Sequence, residues 1–470
     1  MHAHSAFVLS EGLGWRIQQR LLLGILVGIA VLIVLPSAVG KLAYLFLTLH
    51  ALRGPRQTIE AFALLALALL GNPAVFPDGA KMFRWAVLFA GFGRMLWDTF
   101  IGGQPLGADT SVLKALSVFA GTVLVLTFTV SWMPVLSLLK LVSFVMGVMT
   151  MFVCFYRTLH LSAYWRSWFL TYFAALILAS LFMYPLGYGY VRTAEGFQGI
   201  LNHPQVLGPI CGVILAWATG YCVVRPEKLS KWWPFLIGGI SLVFISRSRT
   251  GAVVVAGGLA LSFLVFTLWR RDGIDWASLL RQPATWVGAS VIGIVLLFNA
   301  APVQEAILSF VHKGDVAESA SIGEIYEDSR GALIQASMKN FRDAPAFGIG
   351  FGVPSDPATL AREEGYIKMQ TVMGIPVSAS SEKGFMPVAV LEEIGIVGAF
   401  LLLILMGAIA GPVLRFGSLP MVWAFWGSLL INVGEAVLLS IGGTGLLMWL
   451  VVAFCHAQAV DRRNRMAGAA

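Results

Sequence analysis

The chain has 470 residues, of which 58% are hydrophobic and 12% are charged. Soluble domains average about 45–50% apolar and about 25% charged residues, so this composition excludes a soluble globular protein. The formal net charge of +8 does not indicate a nucleic-acid partner. Most Lys and Arg lie in short loops between apolar segments, where basic residues set the orientation of membrane helices.

Apolar stretches long enough to cross a bilayer recur along the sequence. They predict an all-α polytopic membrane protein with about 12–14 transmembrane helices, a lipid bilayer as its solvent and both termini in the cytoplasm. The predicted spans are 21–39, 41–52, 59–76, 82–97, 112–130, 135–155, 168–188, 204–223, 232–245, 252–268, 286–301, 385–410, 421–439 and 442–454.

One long hydrophilic region separates the last three spans from the others, and it is too long to be a simple connection. It contains a predicted amphipathic helix over 324–341. The apolar positions of this helix are Ile325, Leu333, Ile334 and Phe341. The chain therefore divides into an N-terminal membrane bundle at 1–301, a large outer loop with helices at 302–384, and C-terminal membrane helices with a cytoplasmic tail at 385–470.

Two arginine-containing segments next to apolar spans are the first candidates for function, because charges at the edge of a bilayer are costly. Arg192 lies in one segment, and Arg247 and Arg249 lie in S-R-S-R-T-G. With the predicted topology, both segments and the long loop share the outer face. Planar guanidinium groups bind phosphate oxygens bidentately, which suits a diphosphate. The alternative is that these arginines are interface anchors that reach toward the headgroups.

Other polar residues of the outer segments have two readings each. Asn202 and His203 are rich in hydrogen-bonding groups and can bind a substrate, although a lone histidine before a proline also fits an ordinary loop residue. Arg330 is either a second phosphate ligand or a solvated helix residue. Glu382 and Lys383 are either a boundary ion pair or a general base with its cationic neighbour.

Acidic residues also lie inside the later apolar spans. Glu392, Glu393 and Glu435 should face the bundle interior and not lipid. The four cysteines show no paired spacing, so neither a disulfide framework nor a metal site is predicted. The sequence lacks a nucleotide-binding motif of the form G-x-x-x-x-G-K-[ST], and we predict no cofactor.

Taken in order, these segments resemble the O-antigen ligase and O-antigen polymerase superfamily of bacterial membrane glycosyltransferases. The matching pieces are R-x-x-x-G from Arg192, the Asn-His-Pro that begins at Asn202, S-R-T-G at 248–251, Arg330 at the opening of a helix that leads to G-I-G-F-G, and E-E-I-G-I-V-G at 392–398. They cover roughly the second half of the chain. The first half resembles the family only as hydrophobic spans.

This resemblance implies a GT-C-like fold in the bacterial inner membrane with its active site facing the periplasm. It implies an undecaprenyl-diphosphate-linked oligosaccharide as donor and a glycan or lipid-linked acceptor, with a chain-length regulator as a candidate partner. Ligases transfer the glycan to lipid A core, whereas polymerases transfer it to another lipid-linked repeat unit. By position, the arginines that would bind the donor diphosphate without a metal are Arg192, Arg249 and Arg330. Arg247 is the alternative match for the position of Arg249.

One segment departs from the family pattern. Family ligases carry a His-Asn pair shortly before E-E-I-G, whereas this chain has S-S-E-K-G-F-M-P-V there. Glu382 is the nearest replacement for a base, with Lys383 beside it. The departure favours a polymerase of exopolysaccharide or O-antigen-type repeat units over a ligase. A transporter or flippase of an anionic lipid-linked substrate is a further alternative, although the sequence shows neither the internal repeats nor the paired broken helices typical of one.

Overall fold

Thirteen α-helices make up most of the described part of the chain, and the predicted all-α membrane class is confirmed. This computed structural model describes residues 37–72, 83–107, 110–190, 196–225, 227, 229–268, 322–356, 369–372, 375–379 and 383–468. The predicted span at 286–301 and most of the one at 21–39 lie outside these residues, as do Arg192 and Glu382.

The helices overlap the predicted spans, because apolar length determines both, but some ends differ: the predicted spans at 168–188 and 442–454 correspond to helices at Ser162–Phe182 and Thr444–Gly468. They are α1 Ser37–Ala51, α2 Pro55–Leu70, α3 Arg84–Phe100, α4 Thr110–Thr129, α5 Pro134–Arg157, α6 Ser162–Phe182, α7 Pro204–Val224, α8 Leu229–Ile245, α9 Arg249–Leu268, α10 Ile322–Asp343, α11 Met386–Phe416, α12 Leu419–Leu430 and α13 Thr444–Gly468. Seven of these are long and apolar enough to cross a membrane, namely α4, α5, α6, α7, α9, α11 and α13.

A short antiparallel hairpin interrupts the helical pattern in the long hydrophilic region. Its strands are β1 Met369–Val372 and β2 Ile375–Ala379, with Met369 opposite Ala379 and an irregular register between Gln370 and Thr371. The same region contains α10, which is two residues longer at each end than the predicted helix. The prediction that this region carries structure of its own is therefore confirmed.

The buried face of α10 differs from the predicted one. Leu333, Ile334 and Phe341 are only half-buried, whereas Ser337 is fully buried and Asn340 is 8% exposed. The reason is that α10 packs against the start of α11, where Asn340 donates a hydrogen bond to the carboxylate of Glu392. A polar partner therefore selects a polar face of this helix.

The predicted span at 421–439 is also wrong at its C-terminal end, because α12 ends at Leu430. A short 3₁₀ turn, Ile431–Val433, follows. Within it, the side-chain oxygen of Asn432 accepts hydrogen bonds from the backbone N–H groups of Val437 and Leu438 at 3.1 and 2.8 Å. These bonds hold residues 432–438 as a closed loop. An asparagine side chain competes here with continued helix.

Close helix packing forms the centre of the bundle. Helices α7, α9 and α12 pack against one another, and α13 contacts α5, α11 and α12. Gly208 of α7 and Gly251 of α9 allow a backbone approach so close that a Cβ atom at Gly251 would lie 2.7 Å from the Gly208 carbonyl carbon. Small residues commonly permit this kind of helix contact in membranes.

Helix α11 is broken at Gly395, which the sequence did not indicate. Gly395 has φ 62° and ψ −171°, far from helical values. The backbone groups that the break releases bond to the loop before it. The carbonyls of Glu392 and Glu393 accept from Ile349 and Gly350, and the N–H groups of Ile396 and Val397 donate to Pro345 and Ala346. Irregular backbone at membrane depth requires such internal partners.

Candidate functional site

A cavity of about 370 Å³ lies at the end of the bundle where α3, α5, α7, α11 and α13 begin. Charged and hydrogen-bonding side chains from separate elements line it. They include Arg84 of α3, Lys140 of α5, His203 before α7, Lys383 and Glu393 near the start of α11, and Glu435 between α12 and α13. One cavity therefore brings together three segments that the sequence singled out separately: the Asn-His-Pro that begins at Asn202, the segment with Lys383, and E-E-I-G-I-V-G at 392–398.

Lys383 forms a buried ion-pair cluster beside this cavity. Its Nζ lies 2.9 Å from Oε2 of Glu392 and 3.2 Å from Oε1 of Glu393. The Lys383 side chain is 3% exposed and that of Glu392 is fully buried. Because unpaired charges are costly in such a site, the three side chains hold one another in place. The expectation that Glu392 and Glu393 face the interior is confirmed.

The carboxylate of Glu392 has a complete set of hydrogen-bond donors. Its Oε1 accepts from Nδ2 of Asn340 at 2.7 Å, and its Oε2 accepts from Oγ of Ser355 at 3.0 Å as well as from Lys383. Asn340 and Ser355 stand on either side of the G-I-G-F-G segment. Glu392 therefore connects α10, the glycine-rich loop and α11, and it has a structural role.

The glycine-rich loop at 348–352 reaches the cavity through Gly352. The Gly352 N–H donates to Oε2 of Glu393, and its carbonyl accepts from Nζ of Lys140, both at 2.5 Å. Phe351 is buried between α4 and α5, in edge-to-face contact with Phe119 and Phe144. This ring anchors the loop, so that the backbone of Gly352 has a fixed position in the cavity wall.

The S-R-S-R-T-G segment lies at the same end of the bundle, next to the cavity. Arg249 begins α9 and is half-buried, whereas Arg247 is exposed and has a positive φ of 51°. Ser248 contacts Gly208 near the start of α7, and Thr250 contacts Gly434 next to Glu435. Neither arginine belongs to the described lining of the cavity.

Asn202 and His203 join the end of α2 to the start of α7. The N–H of Asn202 donates to the carbonyl of Leu70 at 2.7 Å, while Nδ1 of His203 caps α7 by accepting from the N–H of Gln205 at 3.2 Å. His203 also lines the cavity. The two readings of this histidine are therefore compatible, since it serves the loop and faces the cavity.

The remaining predicted site residues are placed only partly. Arg330 lies within the first half of α10 and not at its opening as predicted, because the helix begins at Ile322. Glu382, which precedes Lys383 in the sequence, and Arg192 are outside the described residues. The sequence reading missed Arg84 and Lys140 as site residues. Lys140 had a detectable signal, because it is a single charge within the otherwise apolar segment 135–155 and such charges face the bundle interior.

Part of the chain that lines this cavity matches the sequence model of a known family. The described residues contain no group of three or more His, Cys, Asp and Glu side chains that could hold a metal ion. None of the curated proteins compared with the chain matches it. Residues 234–403 match the sequence model of the O-antigen ligase family, and this segment includes Arg249, the glycine-rich loop, Lys383 and Glu393. The chain is thus a multi-pass membrane protein whose resemblance to the O-antigen ligase and O-antigen polymerase superfamily is confirmed.

Proposed function

We propose that this protein is an inverting, metal-independent glycosyltransferase that polymerises exopolysaccharide or O-antigen-type repeat units. Its donor is an undecaprenyl-diphosphate-linked glycan, and its acceptor is a hydroxyl of another lipid-linked glycan. The main support for this proposal is the set of residues that meet at the cavity. Lys383, Glu393 and the Gly352 backbone, all from the matched segment, share a cavity with His203 of the Asn-His-Pro motif.

The cavity provides the cationic groups that the diphosphate of such a substrate requires. Sites for small molecules span about 300–1,000 Å³, and this one is about 370 Å³. Arg84 and Lys140 contribute cationic groups to its wall, and Arg249 begins the helix beside it. With Arg192 and Arg330, these side chains would bind the diphosphate and stabilise the negative charge that develops as it departs.

The distribution of arginines favours a periplasmic cavity. The opposite end of the bundle has basic residues at most turns and helix ends, which are Arg53, Arg56, Arg157, Arg166, Arg225, Arg415, Arg462, Arg463 and Arg465. Basic residues accumulate on the cytoplasmic side of membrane proteins. We therefore place that end in the cytoplasm, both termini on the same side, and the cavity at the periplasmic face of the inner membrane.

The chemical step needs a base for the acceptor hydroxyl and positive charge that stabilises the departing diphosphate. The acceptor oxygen attacks the anomeric carbon, the bond from that carbon to the diphosphate oxygen breaks, and the diphosphate leaves with the bonding electrons. A carboxylate takes the acceptor proton. We assign this role to Glu382, which precedes Lys383 in the sequence. Glu393 is less suited, because both of its oxygens are held by Lys383 and Gly352.

Reconstitution of the purified protein with a lipid-linked oligosaccharide tests the proposal. The reaction contains EDTA and no nucleotide, and products are separated by size with and without a lipid A core acceptor. A ladder of products from the donor alone is the expected result. A single shifted band that requires lipid A core would establish a ligase instead. Donor that crosses the bilayer without product would contradict glycosyl transfer and establish a transporter.

Arginine variants test the diphosphate site within the same assay. Arg249→Ala is expected to lower product formation by about tenfold or more, because a charge-assisted hydrogen bond to an anion contributes roughly 1.5–3 kcal/mol. Arg53→Ala is the matched control, since Arg53 is exposed at the opposite end of the bundle. If Arg247→Ala loses activity and Arg249→Ala does not, Arg247 is the residue that binds the diphosphate.

A further inference from the structure

A second cavity of about 210 Å³ lies at the opposite end of the bundle. Three elements form it: the start of α6 with Ser162 and Arg166, the turn between α11 and α12 at 416–418, and the end of α13 with Asp461, Arg462 and Arg465. None of these residues belongs to the wall of the first cavity. The second cavity is therefore a separate feature of the molecule.

The charges of this second cavity favour an anion. Its wall contains three arginines and one aspartate. Arg465 is paired with Asp461 on the same helix, through Nε at 3.3 Å and through a terminal nitrogen at 2.5 Å. Arg166 is exposed and has no ion pair within the described part of the chain. A guanidinium group offers five N–H donors, so the exposed side chain of Arg166 can donate to an anion in this cavity.

The position of the second cavity indicates where such an anion would come from. Arg166 lies near the start of the apolar helix α6, and the turn at 416–418 joins two apolar helices, so the cavity is at a membrane boundary. Phe416 and Met421 are also part of the wall. A ligand that carries a phosphate on one side and apolar chains on the other matches this combination of arginines and apolar side chains.

We propose that the second cavity binds the headgroup of an anionic phospholipid. Arg166 and Arg462 would hold the phosphate from two different helices, while Phe416 and Met421 would contact the glycerol and the first methylene groups. Basic pockets between membrane helices on the cytoplasmic side bind lipid headgroups in this way. This site does not depend on the proposed transferase function, because it shares no residue with the catalytic cavity.

Lipid binding by the full-length protein in detergent tests this inference. Phosphatidylglycerol and phosphatidylcholine with matched acyl chains are titrated separately, and bound lipid is measured by native mass spectrometry. We expect phosphatidylglycerol to bind at least tenfold more tightly than phosphatidylcholine. Arg166→Gln and Arg462→Gln should each weaken phosphatidylglycerol binding about tenfold, since each removes one charged partner of the phosphate.

Arg53→Gln is the matched control, because it removes an exposed arginine at the same end of the bundle but outside the cavity. Its lipid binding should equal that of the unmodified protein. Equal affinity for the two lipids, or equal losses in Arg53→Gln and Arg166→Gln, would overturn the proposal. Inorganic phosphate is titrated as a competitor. If it displaces phosphatidylglycerol at the same concentration as free phosphatidylglycerol does, the ligand is a free phosphate and the lipid assignment is wrong.

Discussion

Two buried carboxylate clusters lie at opposite ends of the bundle, and each carboxylate is held by its own set of partners. At one end, Glu392 is fully buried and is held by Lys383, Asn340 and Ser355. At the other end, Glu60 of α2 is bonded to His50, to Arg56 at 2.8 Å and to the hydroxyl of Tyr164. Both carboxylates thus have a full set of partners.

The two clusters differ in the surroundings of their cationic side chains. The side chains of His50 and Arg56 are 30% and 45% exposed, so the Glu60 cluster is connected to solvent. Lys383 is 3% exposed and lines the cavity. Glu60 lines neither of the two cavities described above. A buried charge is therefore an insufficient sign of function in this protein, and the cavity beside it is what distinguishes a site from a structural clamp.

The largest effect is expected from Lys383→Met. It leaves Glu392 and Glu393 without their shared cation, and breaking a buried ion pair costs about 3–5 kcal/mol. We expect a large fall in melting temperature in detergent together with loss of polymer formation. Lys114→Met is the control, because Lys114 is exposed on α4. A Lys383→Met protein that melts like the unmodified one would refute the structural importance of this pair.

Gly395→Ala should have the next largest effect. A Cβ atom there would lie 2.3 Å from the carbonyl oxygen of Ala346. The backbone conformation with φ 62° and ψ −171° is also essentially restricted to glycine and costs an L-residue about 1–3 kcal/mol by itself. The substitution should separate the glycine-rich loop from α11 and reduce both stability and activity. Gly407→Ala in the same helix meets no neighbouring atom, and it should leave both properties nearly unchanged. Equal behaviour of the two variants would contradict the described pairing of loop and helix.

Glu382→Gln is expected to affect turnover without affecting stability. Removal of a general base typically lowers a rate by ~10²–10⁴-fold, whereas binding of the donor should stay the same. Single-turnover measurements with saturating donor would show this difference. Glu435→Gln is the informative comparison, because Glu435 lines the cavity from another element. Loss of turnover in Glu435→Gln alone would move the role of the base to that residue.

Glu60→Gln should have the smallest effect on activity. The amide keeps one acceptor for Arg56 or Tyr164 but weakens the cluster, so that stability falls by about 1–3 kcal/mol. Activity for each folded molecule should remain unchanged, because the cluster is at the opposite end from the cavity. The measurement is polymer formation normalised to the folded fraction. A specific loss of turnover would show that the two clusters are coupled.

Hydropathy was enough to predict most of the fold, because span length and apolar composition determine where membrane helices form. Helix α7 and the predicted span at 204–223 differ by one residue at one end. The end of α12 was missed because the Asn432 side chain, not composition, terminates the helix there. The break at Gly395 was missed because its backbone partners lie about 50 residues earlier in the chain.

The site was predictable only in the segments that carry motifs. Lys383, His203 and the glycine-rich loop were recognised from local patterns, and they meet at the cavity. Arg84 and Lys140 reach the same cavity from helices in the first half of the chain, where the resemblance covers only hydrophobic spans. The single charge of Lys140 in an apolar segment indicates an interior position, but its place at this cavity, like that of Arg84, depends on how α3 and α5 pack.

Cysteine labelling at the cavity shows whether the lipid-linked donor binds there. The four native cysteines are buried, so Ser440→Cys in the exposed part of the cavity wall provides one reactive thiol. Asn464→Cys, exposed at the opposite end, is the control. We predict that the lipid-linked donor slows labelling of Ser440→Cys alone and that the label abolishes its activity. Equal labelling rates with and without donor, and full activity of the labelled protein, would show that catalysis does not occur in this cavity.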